Sequence, residues 1–315
     1  MLHRFCNLPI EHSFFLFGPR QCGKTTLILS YLEKLTQVNP SSCWAINLLE
    51  SKTYLRYVAD PSLFRSEILE RYNNFNQTLG IVFVDEIQLL MDTTPIKFIL
   101  TGSSARKLKR GGANLLGGRA IEKHIFPLIF DEAGEQIYDL AQVLRWGSLP
   151  SVLLYPDQAL RLELLSAYIS VYLKEEIQQE AVVRNIPGFV NFLEVAAQQS
   201  GQLLNFTAIA RDTNLNTRTV QTYYQILEDT LIGIRLLAYK RSVRRRLSHA
   251  PKFYIFDLGV LNALERQLES DPDVVRFGKL FEHFIVLETY RLARYLSPFN
   301  QVFFWRTKDG LEVDL

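Results

Sequence analysis

Eight residues near the start of the chain have the types and spacing needed to grip phosphate. Gly18-Pro19-Arg20-Gln21-Cys22-Gly23-Lys24-Thr25 fits the pattern GxxxxGK[ST]. The glycines allow the backbone to curl until successive N–H groups face phosphate oxygens. A helix starting near Gly23 adds the positive end of its dipole. Lys24 is placed to reach the β- and γ-phosphates, and the Thr25 hydroxyl to ligate Mg²⁺. Thr26 follows in the same first turn, so Gly18 to Thr26 make up the expected nucleotide-binding stretch. A random chain of this length matches the pattern about once in a hundred, and the motif needs a strand before it and a helix after it. Ser13–Phe17 (SFFLF) and Lys24–Leu35 read as that strand and that helix.

A second carboxylate-bearing motif follows about 60 residues later. Ile81-Val82-Phe83-Val84-Asp85-Glu86 is four apolar residues and then two acids. A buried strand would deliver Asp85 to the carboxyl edge of a parallel sheet, beside the phosphate loop. There Asp85 would help hold Mg²⁺, and Glu86 would take a proton from the attacking water. The two motifs together predict an ATP-binding site with Mg²⁺ and phosphoanhydride hydrolysis.

These side chains need a sheet to position them. Cys43–Leu48, Gly80–Val84, Lys97–Leu100 and Ala120–Phe126 read as further strands, and Ser62–Tyr72 as a helix. Strands alternating with helices predict an α/β fold, a P-loop NTPase parallel sheet with helices on both faces. Beyond about Asp131 the pattern turns helical: Gln158–Val183, then Phe189–Gln199 after a break at Pro187–Gly188, then short helices from Leu203 to Tyr239. Phe253–Phe256 reads as a strand. The expected divisions are 1–135 for the ATPase domain, 136–200 for a helical lid, 201–257 for a winged helix-turn-helix, and 258–315 for a truncated α/β tail that resembles part of a nuclease. The chain ends in what reads as the middle of a strand, as expected of a fragment.

The composition fits this outline. The chain has 315 residues, 48% of them hydrophobic, and 35 Lys and Arg against 33 Asp and Glu. A net charge of +2 makes no global demand for nucleic acid, so such a partner has to be argued from local patches. Cys6, Cys22 and Cys43 have no CxxC spacing, which predicts neither zinc site nor disulfide framework and a reducing compartment. No stretch reaches the roughly 18 apolar residues of a membrane span. The sequence thus predicts a cytoplasmic chain without a membrane partner.

The sequence resembles AAA+-type ATPases of bacteria and archaea in which a P-loop domain precedes an uncharacterised C-terminal domain. The likeness rests on GPRQCGKTT at Gly18, FVDEIQ at Phe83, FILTGSSARKL at Phe98, LLGGRA at Leu115, HIFPLIFDE at His124, RWGSLP at Arg145 and YLKEEIQQE at Tyr172. It continues through TVQTYYQILEDTLI at Thr219, KFYIFDLGV at Lys252, GKLFEHFIVLE at Gly278 and FFWRTKDGLEVDL at Phe303. The resemblance implies that Thr101 and Ser103 stand at a sensor position near the γ-phosphate. It implies a cationic role for Arg119, in cis or from a neighbouring subunit, with Arg20 as the alternative. The Gly147–Pro150 turn is similar to one that contacts the base in related ATPases. The tail from Phe277 resembles the start of a restriction-endonuclease-like fold, which makes Glu282 and Asp314 candidate metal-binding carboxylates. One departure from the family is plain. Only eight residues, Leu89–Ile96, separate EIQ from KFIL, whereas a parallel crossover normally takes a dozen or more.

In the C-terminal half, Phe206–Ala210 and Thr217–Leu227 read as a helix-turn-helix, with Asn216 or Thr217 capping the second helix. Arg218, Thr219, Gln221 and Thr222 on that helix are types suited to bases and phosphates. A wing after Leu231 would carry Lys240, Arg241, Arg244, Arg245 and Arg246, a local basic patch. Such modules contact DNA, or serve as lids and protein contacts. Three functions follow: an ATPase switch, a DNA- or RNA-binding regulator, or a defence or toxin–antitoxin-type partner binder in which ATP is structural. The physiological partner and the oligomeric state stay open.

Overall fold

The computed structural model describes residues 2–39, 42–46, 50–74, 80–85, 96–102, 120–173, 185–239, 250–307 and 311–315. They fall into two compact units. One comprises Cys6–Gly18 and Gly23–Ile125, the other Met1–Phe5, Pro19–Cys22 and Phe126–Leu315.

The first unit is an α/β layer structure. Five strands, β1 (Phe14–Phe17), β2 (Cys43–Ile46), β3 (Ile81–Asp85), β4 (Lys97–Gly102) and β5 (Ile121–His124), form one parallel sheet in the order β2-β3-β4-β1-β5. The inner strands FFLF, IVFV and FILT are nearly continuous apolar runs, as a sheet covered on both faces requires. Val82, Val84, Phe98 and Leu100 pack with Tyr57, Phe64 and Ile68 of α2 (Ser51–Ala59) and α3 (Pro61–Asn74). Alternation puts Phe83 and Ile99 on the opposite face, where they too are buried. The edge strand β5 (IEKH) is more polar and more exposed, which suits an edge. β3 and β4 pair in register from Ile81↔Lys97 to Asp85↔Thr101, so the short link between them does not keep β4 from its place.

The second unit has a helical body and a small sheet. Its helices are α4 (Phe130–Ala133), α5 (Leu140–Trp146), α6 (Pro150–Leu153), α7 (Gln158–Ala167), α8 (Ile186–Gln198), α9 (Phe206–Asp212), α10 (Thr217–Asp229), α11 (Leu258–Leu264) and α12 (Val274–Leu296). A π-helical turn, Tyr168–Leu173, continues α7. Four strands, β6 (Gly233–Ala238), β7 (Lys252–Ile255), β8 (Phe303–Arg306) and β9 (Glu312–Val313), are ordered β7-β6-β8-β9. Edge-to-face aromatic pairs tie the helices together: Phe189 with Tyr223 (4.7 Å), Phe192 with Tyr224 (5.0 Å) and Tyr224 with Phe253 (4.9 Å).

Two sequence expectations are corrected here. The helix expected to start at Phe189, after Pro187–Gly188, starts three residues earlier at Ile186 and takes both into its first turn. Pro187 sits in the first turn of α8, where its missing N–H costs nothing, and the Gly188 N–H donates to the Asn185 side chain at 3.0 Å. The stretch expected to stay helical to Tyr239 instead turns to strand at Gly233, pairing antiparallel with β7. Among the described residues no helix is long and apolar enough to cross a membrane, and none of the three cysteines forms a disulfide.

Candidate nucleotide site

The phosphate-loop motif starts where the inner strand β1 gives way to a helix. β1 ends at Phe17, and the Gly18 N–H donates to Gly102 O of β4 at 3.3 Å, starting the loop from the sheet's carboxyl edge. Gln21 and Gly23 both take left-handed conformations, with φ of 62° and 87°. Glycine accepts that region freely, and a glutamine is held there at a cost. The turn at Gly23 starts α1 (Lys24–Val38), a 15-residue helix that no side chain caps and whose first turn carries no acidic residue. Its amino end therefore offers N–H groups and a dipole with no built-in anion of its own. The Lys24 ammonium donates to Gly18 O at 2.8 Å, folded back over the loop. Thr25 and Thr26 are exposed in the first turn. Left-handed turn, uncapped helix, ammonium and accessible hydroxyls together fit a Mg²⁺-bound polyphosphate.

The loop's middle belongs to the second unit and is held there. The Cys22 thiol is fully buried and donates to Pro19 O at 2.6 Å. Arg4 donates to Cys22 O at 2.9 Å while pairing with Glu132 at 3.0 Å. The Ser151 hydroxyl donates to the Gln21 side-chain oxygen at 2.7 Å. Arg20 is half-buried.

The strand ends line up beside the loop. Asp85 closes β3 and is in register with Thr101 of β4, which in turn pairs with Leu16 of β1. Thr101 is buried, at 4% exposure. The sheet thus brings the backbone of Asp85, Thr101 and the loop's first residue, Gly18, to one edge. Glu86, Ser103 and Arg119 lie outside the described residues, as do Lys240, Arg241, Arg244, Arg245 and Arg246. His124, which sequence reasoning passed over, ends β5 in register with Phe17, its ring 5.8 Å from that of Phe17 and 2.8 Å from Glu122. Its place at a strand's carboxyl end was the available signal.

The Gly147–Pro150 turn, similar to one that contacts the base in related ATPases, lies in the interior of the second unit. Ser148 is 2% exposed. Its N–H donates to Asp257 Oδ2 at 2.8 Å and its hydroxyl accepts from Arg291 at 2.9 Å. The other Asp257 oxygen caps α11, accepting from the N–H groups of Gly259 (2.9 Å) and Val260 (3.2 Å). Burial pushes the Asp257 carboxyl up, against the pull of Arg291 and these N–H groups. An apolar strand ending in Asp just before a helix was the trace of this cap in the sequence.

On α10, Arg218 and Gln221 are exposed, while Thr219 and Thr222 are half-buried. The Thr222 hydroxyl donates to Arg218 O at 2.9 Å.

Residues 11–134 match the family model described as an AAA domain, and residues 137–271 match a domain of unknown function (DUF8612). The first stretch is thus similar to an AAA domain, and its parallel sheet and strand-loop-helix turn agree with that likeness. An uncharacterized protein of Mycobacterium tuberculosis is 26% identical over 95% of this chain and 66% of its own length. Another from Haemophilus influenzae is 24% identical over 77% of this chain and 66% of its own. A third, from Methanocaldococcus jannaschii, is 24% identical over 89% and 68%. The chain spans about two thirds of the length of these relatives. Among solved structures, Cdc6p from Pyrobaculum aerophilum aligns with a TM-score of 0.31 at 12% identity, over 86% of this chain and 87% of that one.

Proposed function

We propose that the chain binds ATP with Mg²⁺ at Gly18–Thr26 and acts as an ATPase whose nucleotide state drives a conformational switch. The observation that supports this reading is that Asp85, Thr101 and Gly18, where the phosphate loop starts, share one sheet edge. Lys24 and the first turn of α1 would bind the phosphates, and Thr25 with Asp85 would hold the metal. Bound Mg²⁺ would supply charge neutralisation at the β- and γ-oxygens. Glu86, the next residue after β3, is the assigned acceptor for a proton from water, with Thr101, Ser103 and Arg119 or Arg20 around the γ-phosphate. Calorimetric ATP binding and phosphate release test this together. Lys24→Ala should abolish binding. Glu86→Gln should keep binding and slow release by roughly 10²- to 10⁴-fold. Unchanged turnover in Glu86→Gln would remove Glu86 from the role.

A second reading is DNA contact by a winged helix. It is supported by Arg218 and Gln221 exposed on the second helix of a helix-turn-helix. The antiparallel β6–β7 pair also flanks the basic stretch 240–249. A salt-dependent mobility shift that is lost when Arg244, Arg245 and Arg246 become alanine would favour this reading. Its absence at low salt would leave the module a lid or protein contact.

A further inference from the structure

The sheet of the second unit contains a buried ammonium with three carboxylates around it. Lys252 opens β7 and is 4% exposed. Its Nζ stands 2.5 Å from Glu312 Oε1, donates to Asp314 Oδ1 at 2.7 Å and lies 3.6 Å from Glu282 Oε1. The partners come from separate parts of the chain: Glu282 from α12, Glu312 from β9 and Asp314 just beyond it. The Tyr254 hydroxyl donates to Glu282 at 3.3 Å, and Arg306 reaches the second oxygen of Glu312 at 3.1 Å. The ammonium also lies 5.7 Å from the centre of the Phe304 ring.

A single ammonium does not need three carboxylates for neutrality. Burying it favours the uncharged amine, and one hydrogen-bonded partner offsets much of that. Acidic side chains from three elements converging on one point resemble a divalent-cation site, where oxygen donors surround a concentrated charge. Here a side chain supplies the charge. Burial pulls the Lys252 pKa down, but hydrogen bonds to Asp314 and Glu312 more than reverse this, so it stands above the ordinary lysine value. The Glu282 carboxyl is raised, first by burial and then by Asp314. Among the described residues, no group of three or more His, Cys, Asp or Glu is arranged to hold a metal ion.

We propose that Lys252 is a built-in cation that fills a three-carboxylate cluster, ties α12 and the β8–β9 hairpin to β7, and keeps that cluster closed to Mg²⁺ and Mn²⁺. The cluster is therefore a metal-independent clasp, and its opening creates a latent divalent-cation site. The proposal stands apart from the nucleotide site, and its test uses nucleotide-free protein.

The test titrates the full chain with Mn²⁺, following free ion by electron paramagnetic resonance, alongside thermal melts with and without chelator. The wild type should show no Mn²⁺ binding that depends on Asp314, and its melting midpoint should not move with chelator. Lys252→Ala should melt roughly 10 °C lower, because three carboxylates lose their shared partner. Millimolar Mn²⁺ should restore much of that, and should not do so in Lys252→Ala/Asp314→Asn. Wild-type Mn²⁺ binding that Asp314→Asn abolishes would overturn the proposal, and that measurement needs no lysine variant to fold. A Lys252→Ala chain that melts like the wild type would overturn it as well.

Discussion

Gly147 shows how little freedom a single position can have. Its φ is +75°, and a Cβ placed there would stand 2.1 Å from Asp257 Oδ1. Gly147→Ala therefore meets both left-handed strain and a fully buried carboxylate that cannot swing away without uncapping α11. We expect urea unfolding to show a loss of about 3 kcal/mol or more. A cost below about 1 kcal/mol would mean that the turn relaxes around the methyl group. At this scale the glycine turn before α1 was legible, because Gly23 answers a local backbone demand, whereas the left-handed Gln21 was not. Asp257, Arg291 and Lys252 were not legible as partners. Arg291 meets Ser148, and Lys252 meets Asp314, across distances in sequence that no local pattern encodes. The nuclease-like reading did single out Glu282 and Asp314, but not the lysine between them.

Elements were legible where capping and periodicity agreed. α10 begins at Thr217 because Asn216 Oδ1 accepts from the Thr219 N–H at 2.8 Å, and it stays helical because Val220, Tyr223, Tyr224 and Leu227 form one buried face. Asn216→Ala removes that cap and should cost about 1 kcal/mol. Chemical denaturation measures it, and a loss indistinguishable from zero would mean that packing alone fixes the helix start. Replacement by Ser should recover most of the loss. β6 was misread for a physical reason. GIRLLA has neither strict alternation nor a helical stripe, its burial being uneven along the strand, and tertiary pairing with β7 decides its conformation. The start of α8 was placed three residues late, because proline and glycine fit the first turn of a helix as well as the gap before it.

At the scale of the whole molecule, acid should act on the second unit through His283. Its ring is buried, donates from Nε2–H to Ile255 O at 2.8 Å, lies edge-on to Tyr254 at 5.0 Å and is near Arg291. Burial first, then Arg291, lower its pKa to about 4, against the opposing hydrogen bond to Ile255 O. The unfolded chain, with a histidine near 6.5, takes up the proton first as pH falls. Stability is therefore whole above about pH 6.5 and declines toward pH 4, by about 3 kcal/mol in all. Unfolding free energies measured across that range for wild type and His283→Phe should diverge in slope; parallel curves would rule the histidine out. The outline of the first unit was legible because buried strands in a parallel sheet announce themselves as apolar runs, whereas the second unit's fold rests on aromatic pairs distant in sequence. The strand order of the first unit also sets a timetable for synthesis. Phe14 of the inner strand β1 pairs with Ile99 on one side and Ile121 on the other. At ribosomal rates of about 5–20 residues per second, those partners appear roughly 4 to 20 s after β1 is made. During that interval Phe14, Leu16 and Phe17 have no sheet to enter, which makes the nascent chain a natural client for a holding chaperone.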